Sequence, residues 1–268
     1  MLIQFTKMHG LGNDFVMIEN MEGKIRLSPE QVRFLCDRHL GIGADGVILI
    51  ESSPKADCFM NYYNADGFPA EMCGNGVRCV AKLLKDKILQ KVIPQMIFKI
   101  DTRAGIKNVE CLDDNTFSAN MGKPIFDSVD FPDKSLELEG LSWNFVSMGN
   151  PHAVAFVKDV DAYDVSTIGP KIENNPNFPN RINVHLVEEI NKKEFKIKIW
   201  ERSCGITLAS GTAACAVYAI ARKYKNAETE VTMQLPGGIL SLYENKEGEI
   251  IMRGPATTVF ESTIEVKE

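Results

Sequence analysis

The feature that most constrains the fold of this chain is an internal repeat with an offset of 137 positions (from residue 73 to residue 210). The segment Met72–Cys79 reads MCGNGVRC, and Ala209–Cys215 reads ASGTAAC, with Ser210 at the position of Cys73. The same offset relates Gly12-Asn13 to Gly149-Asn150, Gly46–Ile50 to Asn183–Val187, and Asn64 to Glu201. Each match falls at a predicted strand end or turn. The repeat therefore predicts two homologous halves, with a period too long for a solenoid or a propeller.

The amino-acid composition limits both the class of protein to which this chain can belong and the partners that we expect it to bind. A chain of 268 residues, 44% hydrophobic and 25% charged, is typical of a globular protein whose halves can each bury a core. With a net charge of −6, the chain lacks the excess of basic residues that is typical of nucleic-acid-binding proteins, so we expect no nucleic-acid partner. No apolar segment approaches membrane-spanning length. The apolar run at the start of the chain is shorter than the hydrophobic region of a signal peptide. Seven cysteines without paired spacing are typical of reduced thiols, so we expect a cytoplasmic protein with no membrane partner.

The local patterns predict an α+β fold. Short apolar runs bounded by Gly, Asn and Asp predict strands, which outnumber the helices. Helices are predicted from Ser28 to about Arg38, from Gly74 to about Lys87 and from Gly211 to Tyr224. Each half thus holds one apolar helix, and a curved, mostly antiparallel sheet wrapped round it would bury it. We expect an N-terminal lobe at 1–118 and a C-terminal lobe at 119–268, with the last few residues able to pair back with the first lobe.

Cys73 is a candidate acid–base group because it precedes a glycine-rich turn that opens a predicted helix. The first amides of a helix lack intrahelical partners and carry partial positive charge. Glycines at 74 and 76 let the backbone approach a ligand, so the amides of Gly74 and Asn75 can bind a carboxylate. The same field stabilises a thiolate and lowers a thiol pKa, so Cys73 is predicted to act as a base near neutral pH.

The second helix start, at Gly211 and Thr212, offers a matching set of amides. Two helix ends converging on one carboxylate would stabilise charge that develops at the adjacent α-carbon. A base on each face of that carbon can remove a proton from one side and return it on the other, as in a racemase or epimerase without a cofactor. The alternative is that Cys73 is a buried cysteine at a glycine-rich turn, and the paired element favours the catalytic interpretation.

Motifs along the whole length, in order, resemble those of the diaminopimelate epimerase family. They are Lys7–Phe15, Gly41–Gly46, Asn64–Gly67, Met72–Cys79, Met148–His152, Arg181–Val184 and Trp200–Arg202. The resemblance implies two similar lobes with the active site in the cleft between them. It also implies interconversion of LL- and meso-diaminopimelate, in lysine and peptidoglycan biosynthesis, with neither pyridoxal phosphate nor a metal. We expect a small-molecule substrate and a homodimer.

By position, the resemblance assigns Cys73 as one acid–base group and gives Ser210 the place of the other. The amides that would hold the reacting carboxylate are those of Gly74, Asn75, Gly211 and Thr212. Residues that match family positions holding the substrate, chiefly its distal amino and carboxylate groups, are Asn13, Asn64, Asn150, Asn183 and Arg202. A guanidinium suits a bidentate contact with that far carboxylate. Glu201 matches an acid near the reacting amine, and His152 a histidine that supports the proton transfers.

Structural explanations compete for several of these positions. Without the family, Asn13, Asn64 and Asn150 could be turn formers, and His152 could be a loop histidine. Cys79 and Cys215 fall within predicted helices, so we expect them to be core residues.

Ser210 is the main departure from the family pattern. Serine preserves the shape of the site, but its hydroxyl is far too weak an acid to form an alkoxide near pH 7. Cys204 lies six residues earlier, off the helix end, so we do not expect it to substitute. We therefore expect this chain to be a Cys-to-Ser inactivated form. Because every other ligand position is retained, we favour an introduced exchange over a natural one.

Two other functions remain open from the sequence. A related racemase of the same fold would act on another amino acid, such as histidine or proline. Arg202 together with Asn64 and Asn183 favours a substrate with a second carboxylate, which ranks this alternative second. A binding-only protein that lost catalysis when Ser210 arose would keep ligand affinity and gain nothing from a Ser210→Cys exchange.

Overall fold

The computed structural model describes residues 1–88, 97–112, 115–132 and 134–267. They form two compact units, Met1–Ala119 with Gly254–Glu268, and Asn120–Arg253. The segment that returns to the first unit thus starts at Gly254, earlier than the last few residues that the sequence suggested. Each unit combines a mixed sheet with helices, so the predicted α+β class with two lobes is confirmed.

The strands in the described residues are β1 (Leu2–Gly10), β2 (Asn13–Asn20), β3 (Gly46–Glu51), β4 (Cys58–Asn64), β5 (Ile97–Asp101), β6 (Lys107–Cys111), β7 (Thr116–Gly122), β8 (Leu136–Leu138), β9 (Leu141–Ser147), β10 (Pro151–Val157), β11 (Asn183–Asn191), β12 (Glu194–Glu201), β13 (Gly205–Ile206), β14 (Glu230–Leu235), β15 (Gly238–Glu244), β16 (Ile250–Pro255) and β17 (Thr257–Glu265). The α-helices are α1 (Pro29–Cys36), α2 (Gly74–Leu83), α3 (Val165–Glu173) and α4 (Gly211–Tyr224). A π-helical turn, Leu84–Ile88, follows α2, and a short 3-10 turn spans Val160–Ala162.

In the first unit the strands pair in the order β17, β1, β2, β3, β4, β5, β6, β7. The β2–β3 and β4–β5 pairs are parallel and the others are antiparallel. The second unit repeats this pattern from β9 onward. The β10–β11 and β12–β14 pairs are parallel, and the β9–β10, β11–β12, β14–β15 and β15–β16 pairs are antiparallel. The order and sense of pairing therefore recur, as expected of homologous halves.

One apolar helix lies at the centre of each unit. Helix α2 contacts β1 and β2 and also β5 and β6, which are far apart in the pairing order, so the sheet of the first unit curves round the helix. Helix α4 likewise contacts β9, β10, β11 and β15 in the second unit. Every residue of α2 except Lys82 is buried, and α4 is buried from Ala213 through Ala221. Enclosure on several sides explains why most residues of these two helices are buried.

Helix α1 begins where the sequence predicts. Ser28 is its N-cap, and Ser28 and Gln31 form a reciprocal capping box, with Pro29 in the first turn. The helix ends at Cys36, two residues before the predicted Arg38. The Asp37 carboxylate accepts hydrogen bonds from the amides of His39 and Leu40, which holds the chain in a turn there. The second predicted helix also ends early as an α-helix, at Leu83, and continues as the π-helical turn.

Helix α3 was not predicted from the sequence, since it contains Gly169 and Pro170, both poor helix formers. Its Asp164 N-cap accepts a hydrogen bond from the Ser166 amide. A Cβ atom at Gly169 would lie 2.4 Å from Cγ of Trp200, so glycine is needed for the helix to pack on that ring. Tertiary packing thus overrides local propensity in this helix.

Candidate functional site

The candidate residues of the first unit lie at one edge of its sheet. Strand β2 begins at Asn13 and strand β4 ends at Asn64. Gly46 lies opposite Phe15 in the parallel β2–β3 pair and opposite Asn64 in the antiparallel β3–β4 pair. The start of β2, the start of β3 and the end of β4 therefore lie side by side. Asn64 is exposed, and its side chain makes no hydrogen bond to any of the residues described.

Cys73 is the N-cap residue of α2, at the start of the buried helix. Its backbone is extended (φ −137°, ψ 121°), and its side chain makes no capping bond. The Sγ atom donates a hydrogen bond to Oδ1 of Asn13 at 3.4 Å, and Nδ2 of Asn75 donates to the same oxygen at 3.1 Å. Cys73, Asn13 and Asn75 are therefore in direct contact.

Arg78 holds Asn75 in place and was not identified from the sequence. Its side chain is fully buried and donates from Nη2 to Oδ1 of Asn75 at 2.8 Å and from Nε to the carbonyl of Pro255 at 3.1 Å. A Cβ atom at Gly10 would lie 2.9 Å from that Nη2, so the glycine leaves room for the guanidinium. An arginine inside the glycine-rich MCGNGVRC motif, at the start of a predicted buried helix, was the available signal.

A charged network fixes the other end of Asn13. Nδ2 of Asn13 donates to Asp45 at 2.8 Å, and Arg38 bridges Asp45 and Asp14. Lys7 also pairs with Asp14, at 2.6 Å. Burial raises the pKa of Asp14, but hydrogen bonds from Arg38 and Lys7 outweigh burial and hold that pKa below its usual value. Asp14 is therefore ionised at neutral pH, and the amide of Asn13 has a defined orientation.

The second unit places its candidates at the equivalent edge. His152, near the start of β10, pairs with Asn183 at the start of β11, and Val184 pairs with Trp200 near the end of β12. Asn183 is buried, donates from Nδ2 to the carbonyl of Pro151 at 2.8 Å and accepts from the backbone amide of Arg202 at 3.0 Å. Asn183 thus holds the backbone at the end of β12.

Ser210 is the N-cap of α4 with the same backbone conformation as Cys73 (φ −136°, ψ 121°). Its Oγ accepts from the Ala213 amide at 3.3 Å and donates to Oε2 of Glu201 at 3.0 Å. Thr207 donates to the other carboxylate oxygen of Glu201 at 2.7 Å. Ser210 therefore caps the helix and is paired with Glu201, whereas Cys73 does not cap its helix.

Arg202 lies on a loop that a buried carboxylate supports. Glu173, 4% exposed, accepts from the Ser203 amide at 2.9 Å and from Nε1 of Trp200 at 2.7 Å. The Arg202 guanidinium donates to the carbonyl of Asn180 at 2.8 Å. Glu173 was not identified from the sequence, because its role depends on contacts between α3 and the end of β12.

His152 is fully buried, and both of its ring nitrogens are engaged. Nε2 lies 2.9 Å from Oδ1 of Asn150, and Nδ1 lies 2.8 Å from Nε2 of His185. Burial holds the pKa of His152 well below its usual value, with smaller contributions from His185 and Arg202. His152 is neutral at physiological pH. His185 is a further residue that sequence reasoning missed.

The cysteines divide by exposure. Cys204 is exposed and Cys73 is partly exposed, while Cys36, Cys58, Cys79, Cys111 and Cys215 are buried. Burial raises the pKa of Cys79 to about 12, so this thiol stays protonated at neutral pH. Among the described residues, no cluster of three or more His, Cys, Asp or Glu side chains could hold a metal ion, and no helix is both long and apolar enough to cross a bilayer.

Comparison with known proteins gives one family. The sequence profile of the family described as diaminopimelate epimerase matches residues 5–126 and 144–259. A diaminopimelate epimerase of Methanococcus maripaludis (strain S2) is 40% identical, with 98% of this chain and 100% of that protein covered. Another, of Trichodesmium erythraeum, is 42% identical, with 97% and 98% covered.

Solved structures give the same fold at lower identity. A phenazine biosynthesis protein of the PhzF family from Bacillus anthracis is similar with a TM-score of 0.75, at 17% identity, covering 99% of this chain and 100% of that one. A hydroxyproline epimerase from Agrobacterium vitis, with bound trans-4-hydroxy-L-proline, has a TM-score of 0.70 at 14% identity, covering 98% and 92%. At these identities the similarity establishes the fold alone.

Proposed function

This chain belongs to the diaminopimelate epimerase family of isomerases, associated with lysine biosynthesis, and we propose that it binds diaminopimelate with Cys73 as its one strong acid–base group. The observation that carries the proposal is the matched pair of N-cap residues. Cys73 and Ser210 begin the two central helices with φ and ψ equal to within one degree. Equivalent backbone geometry supports equivalent roles toward one substrate.

The proposed carboxylate site consists of helix-start amides. Those of Gly74 and Asn75 in one unit, and of Gly211 and Thr212 in the other, would receive the reacting carboxylate, where the helix dipoles favour negative charge. Arg202, Asn64 and Asn150 would bind the distal groups of the substrate. Asn183, whose amide is engaged by Pro151 and by the backbone of Arg202, would position Arg202. Asn13 has both ends of its amide engaged by protein groups, so we assign it to holding the Cys73 thiol.

Ser210 would limit catalysis to one face of the α-carbon. Its hydroxyl donates to Glu201, an arrangement that keeps the proton on oxygen at neutral pH and provides no base. We propose that Cys73 exchanges the α-proton of the stereoisomer whose hydrogen faces it, while transfer to the opposite face is lost. Removing a positioned acid–base group typically costs about 10²–10⁴-fold in rate.

The test is solvent-deuterium incorporation at the α-carbon of LL-diaminopimelate, followed by NMR together with separation of the stereoisomers. We expect the chain with Ser210 to bind diaminopimelate and to epimerise it about 10²–10⁴-fold more slowly than a Ser210→Cys variant. Ser210→Ala is the matched control, because it removes the hydroxyl without adding a thiol. Cys73→Ser in the Ser210→Cys background should abolish the gain.

Other outcomes would overturn the proposal in defined ways. A Ser210→Cys variant that binds diaminopimelate but neither exchanges nor epimerises it would indicate a binding-only protein. A variant active only on an amino acid with one carboxylate would instead favour a racemase with another substrate.

A further inference from the structure

A buried chain of hydrogen bonds leads from β11 to a partly exposed amide in the second unit. His185 contacts His152 at 2.8 Å (Nε2 to Nδ1), and His152 contacts Oδ1 of Asn150 at 2.9 Å. Both imidazole rings are fully buried, with centroids 5.1 Å apart. Asn150 lies at the surface end, and its Nδ2 makes no hydrogen bond to any described residue.

Only two proton arrangements satisfy this chain when both rings are neutral. In the first, Nε2 of each histidine carries the proton, so His185 donates to His152 and His152 donates to Oδ1 of Asn150. In the second, each Nδ1 carries the proton, and the Asn150 amide must turn over to donate from Nδ2. The two arrangements leave opposite polar atoms of Asn150 facing outward.

The surroundings of His185, at the buried end of this hydrogen-bond chain, favour the first arrangement. Nδ1 of His185 is buried and has no partner among the described residues. In the second arrangement this atom would be an orphaned N–H group, whereas in the first it is a bare lone pair. Buried donors without partners are rarer in proteins than acceptors with unused lone pairs. Protonation at Nε2 of both rings is therefore favoured.

We propose that His185 is a positioning residue that fixes the tautomer of His152 and thereby holds Asn150 with its amide nitrogen outward, as a donor for an acceptor group of the ligand. Assigning that acceptor to a carboxylate of diaminopimelate rests on the proposed function above. Residue 150 would then discriminate against ligands that offer a donor at this place, because the amide cannot turn over without breaking the buried chain.

The environment of the two rings maintains this arrangement across the physiological range. Burial lowers the pKa of His185 to about 3, and burial is also the largest influence lowering the pKa of His152. Neither ring is a proton source at neutral pH. His185 is held by β11, where it pairs with Ile199 of β12 on one side and Val154 of β10 on the other, so a central strand fixes its position.

The first experiment reads the tautomers directly in the full chain without ligand. Long-range ¹H–¹⁵N NMR spectra distinguish a protonated Nε2 from a protonated Nδ1. We expect Nε2 protonation at both His152 and His185. His185→Gln keeps an N–H donor near the same place and should preserve the His152 tautomer. His185→Leu removes the donor to Nδ1 and should raise the fraction of His152 that is protonated at Nδ1. Protonation of Nδ1 at His152 in the chain without further substitutions would overturn the proposal.

The second experiment measures diaminopimelate binding by calorimetry in a double-mutant cycle. We expect His185→Leu to weaken binding about tenfold, as loss of one well-aimed hydrogen bond to a charged group would, and His185→Gln to restore most of it. In an Asn150→Ala background, His185→Leu should have no further effect. An equal loss in both backgrounds would show that His185 does not act through Asn150, and would overturn the proposal.

The two experiments separate failure of this proposal from failure of the proposed function. Absence of diaminopimelate binding to the chain without further substitutions would count against the proposed substrate. The tautomer of His152 and its response to His185→Leu would still decide the role of His185, since neither measurement requires the substrate.

Discussion

At position 210 the difference between a hydroxyl and a thiol is chemical rather than steric. Ser210 caps α4 and donates to Glu201, two contacts that use its oxygen as both acceptor and donor. Cys73, with the same backbone conformation, makes no capping bond and donates its thiol proton to Asn13. A side chain that must release and regain a proton is better served by weak contacts. The contacts of Ser210 stabilise its helix, and the weaker contacts of Cys73 suit the acid–base role that we propose for it.

Asp14 provides a residue-scale prediction for pH dependence. Its pKa in the folded chain lies below the usual 3.8, so its stabilisation is fully present above about pH 4 and is lost as pH falls through the folded pKa. We expect Asp14→Asn to lower the free energy of unfolding at pH 7 by about 1–3 kcal/mol. Urea denaturation from pH 7 to pH 3 should show the difference between the two proteins shrinking in acid.

Glu22→Gln is the control for this prediction, because Glu22 pairs with Lys24 at the surface, where both side chains are more than 70% exposed. We expect Glu22→Gln to have the same free energy of unfolding as the parent chain at every pH. A difference for Asp14→Asn that stays constant from pH 7 to pH 3 would contradict the assignment of a lowered pKa.

At the scale of elements, α2 and α4 have the same backbone conformation at their N-cap residues, but only the N-cap side chain of α4 bonds to a helix amide. Replacing an N-cap serine by alanine typically costs about 0.5–2 kcal/mol. Ser210→Ala and Ser210→Cys should therefore both destabilise the first turn of α4 by about 1 kcal/mol, even though we propose that the cysteine variant gains activity. Cys73→Ser should stabilise the start of α2 by a similar or smaller amount, because a hydroxyl there can reach the amide of the third helical residue.

Thermal unfolding combined with hydrogen exchange of the first turns of α2 and α4 measures these effects helix by helix. A loss of stability in Ser210→Cys accompanied by a gain of activity would be a trade of the kind found at many active sites. Unchanged exchange in Ser210→Ala, or faster exchange in Cys73→Ser, would show that capping does not distinguish the two helices.

At the scale of the whole molecule, the C-terminal strand belongs to the first unit. Strand β17 pairs along β1, from Leu2 with Glu265 to His9 with Thr257, and Val266 is buried in the core that contains Ile3 and Phe5. We expect a chain ending at Ala256 to lose hydrogen-exchange protection in β1 and β2, because β1 loses a neighbouring strand and the core loses an apolar side chain.

Val259→Ala is the matched control, since Val259 lies in β17 but is 54% exposed. It should leave the exchange of β1 unchanged. If the shortened chain retained full protection in β1, the strand would be dispensable for the first unit.

The sequence by itself determined the features that depend on local pattern. The repeat predicted two halves, and both the order and the sense of strand pairing recur from β9 onward. The N-cap signals at Ser28 and the glycines after Cys73 and Ser210 placed the starts of three helices at Pro29, Gly74 and Gly211. Such signals are readable because capping and periodicity involve residues only a few positions apart.

Only the tertiary structure decided which side chains support the candidate site. Arg78 contacts the carbonyl of Pro255, Glu173 holds Trp200 and Ser203, and His185 reaches His152 from the next strand. Helix α3 forms despite Gly169 and Pro170 because the glycine admits the Trp200 ring. Each of these contacts joins residues distant in the chain, and their energies depend on burial and on mutual orientation, neither of which a local sequence pattern contains.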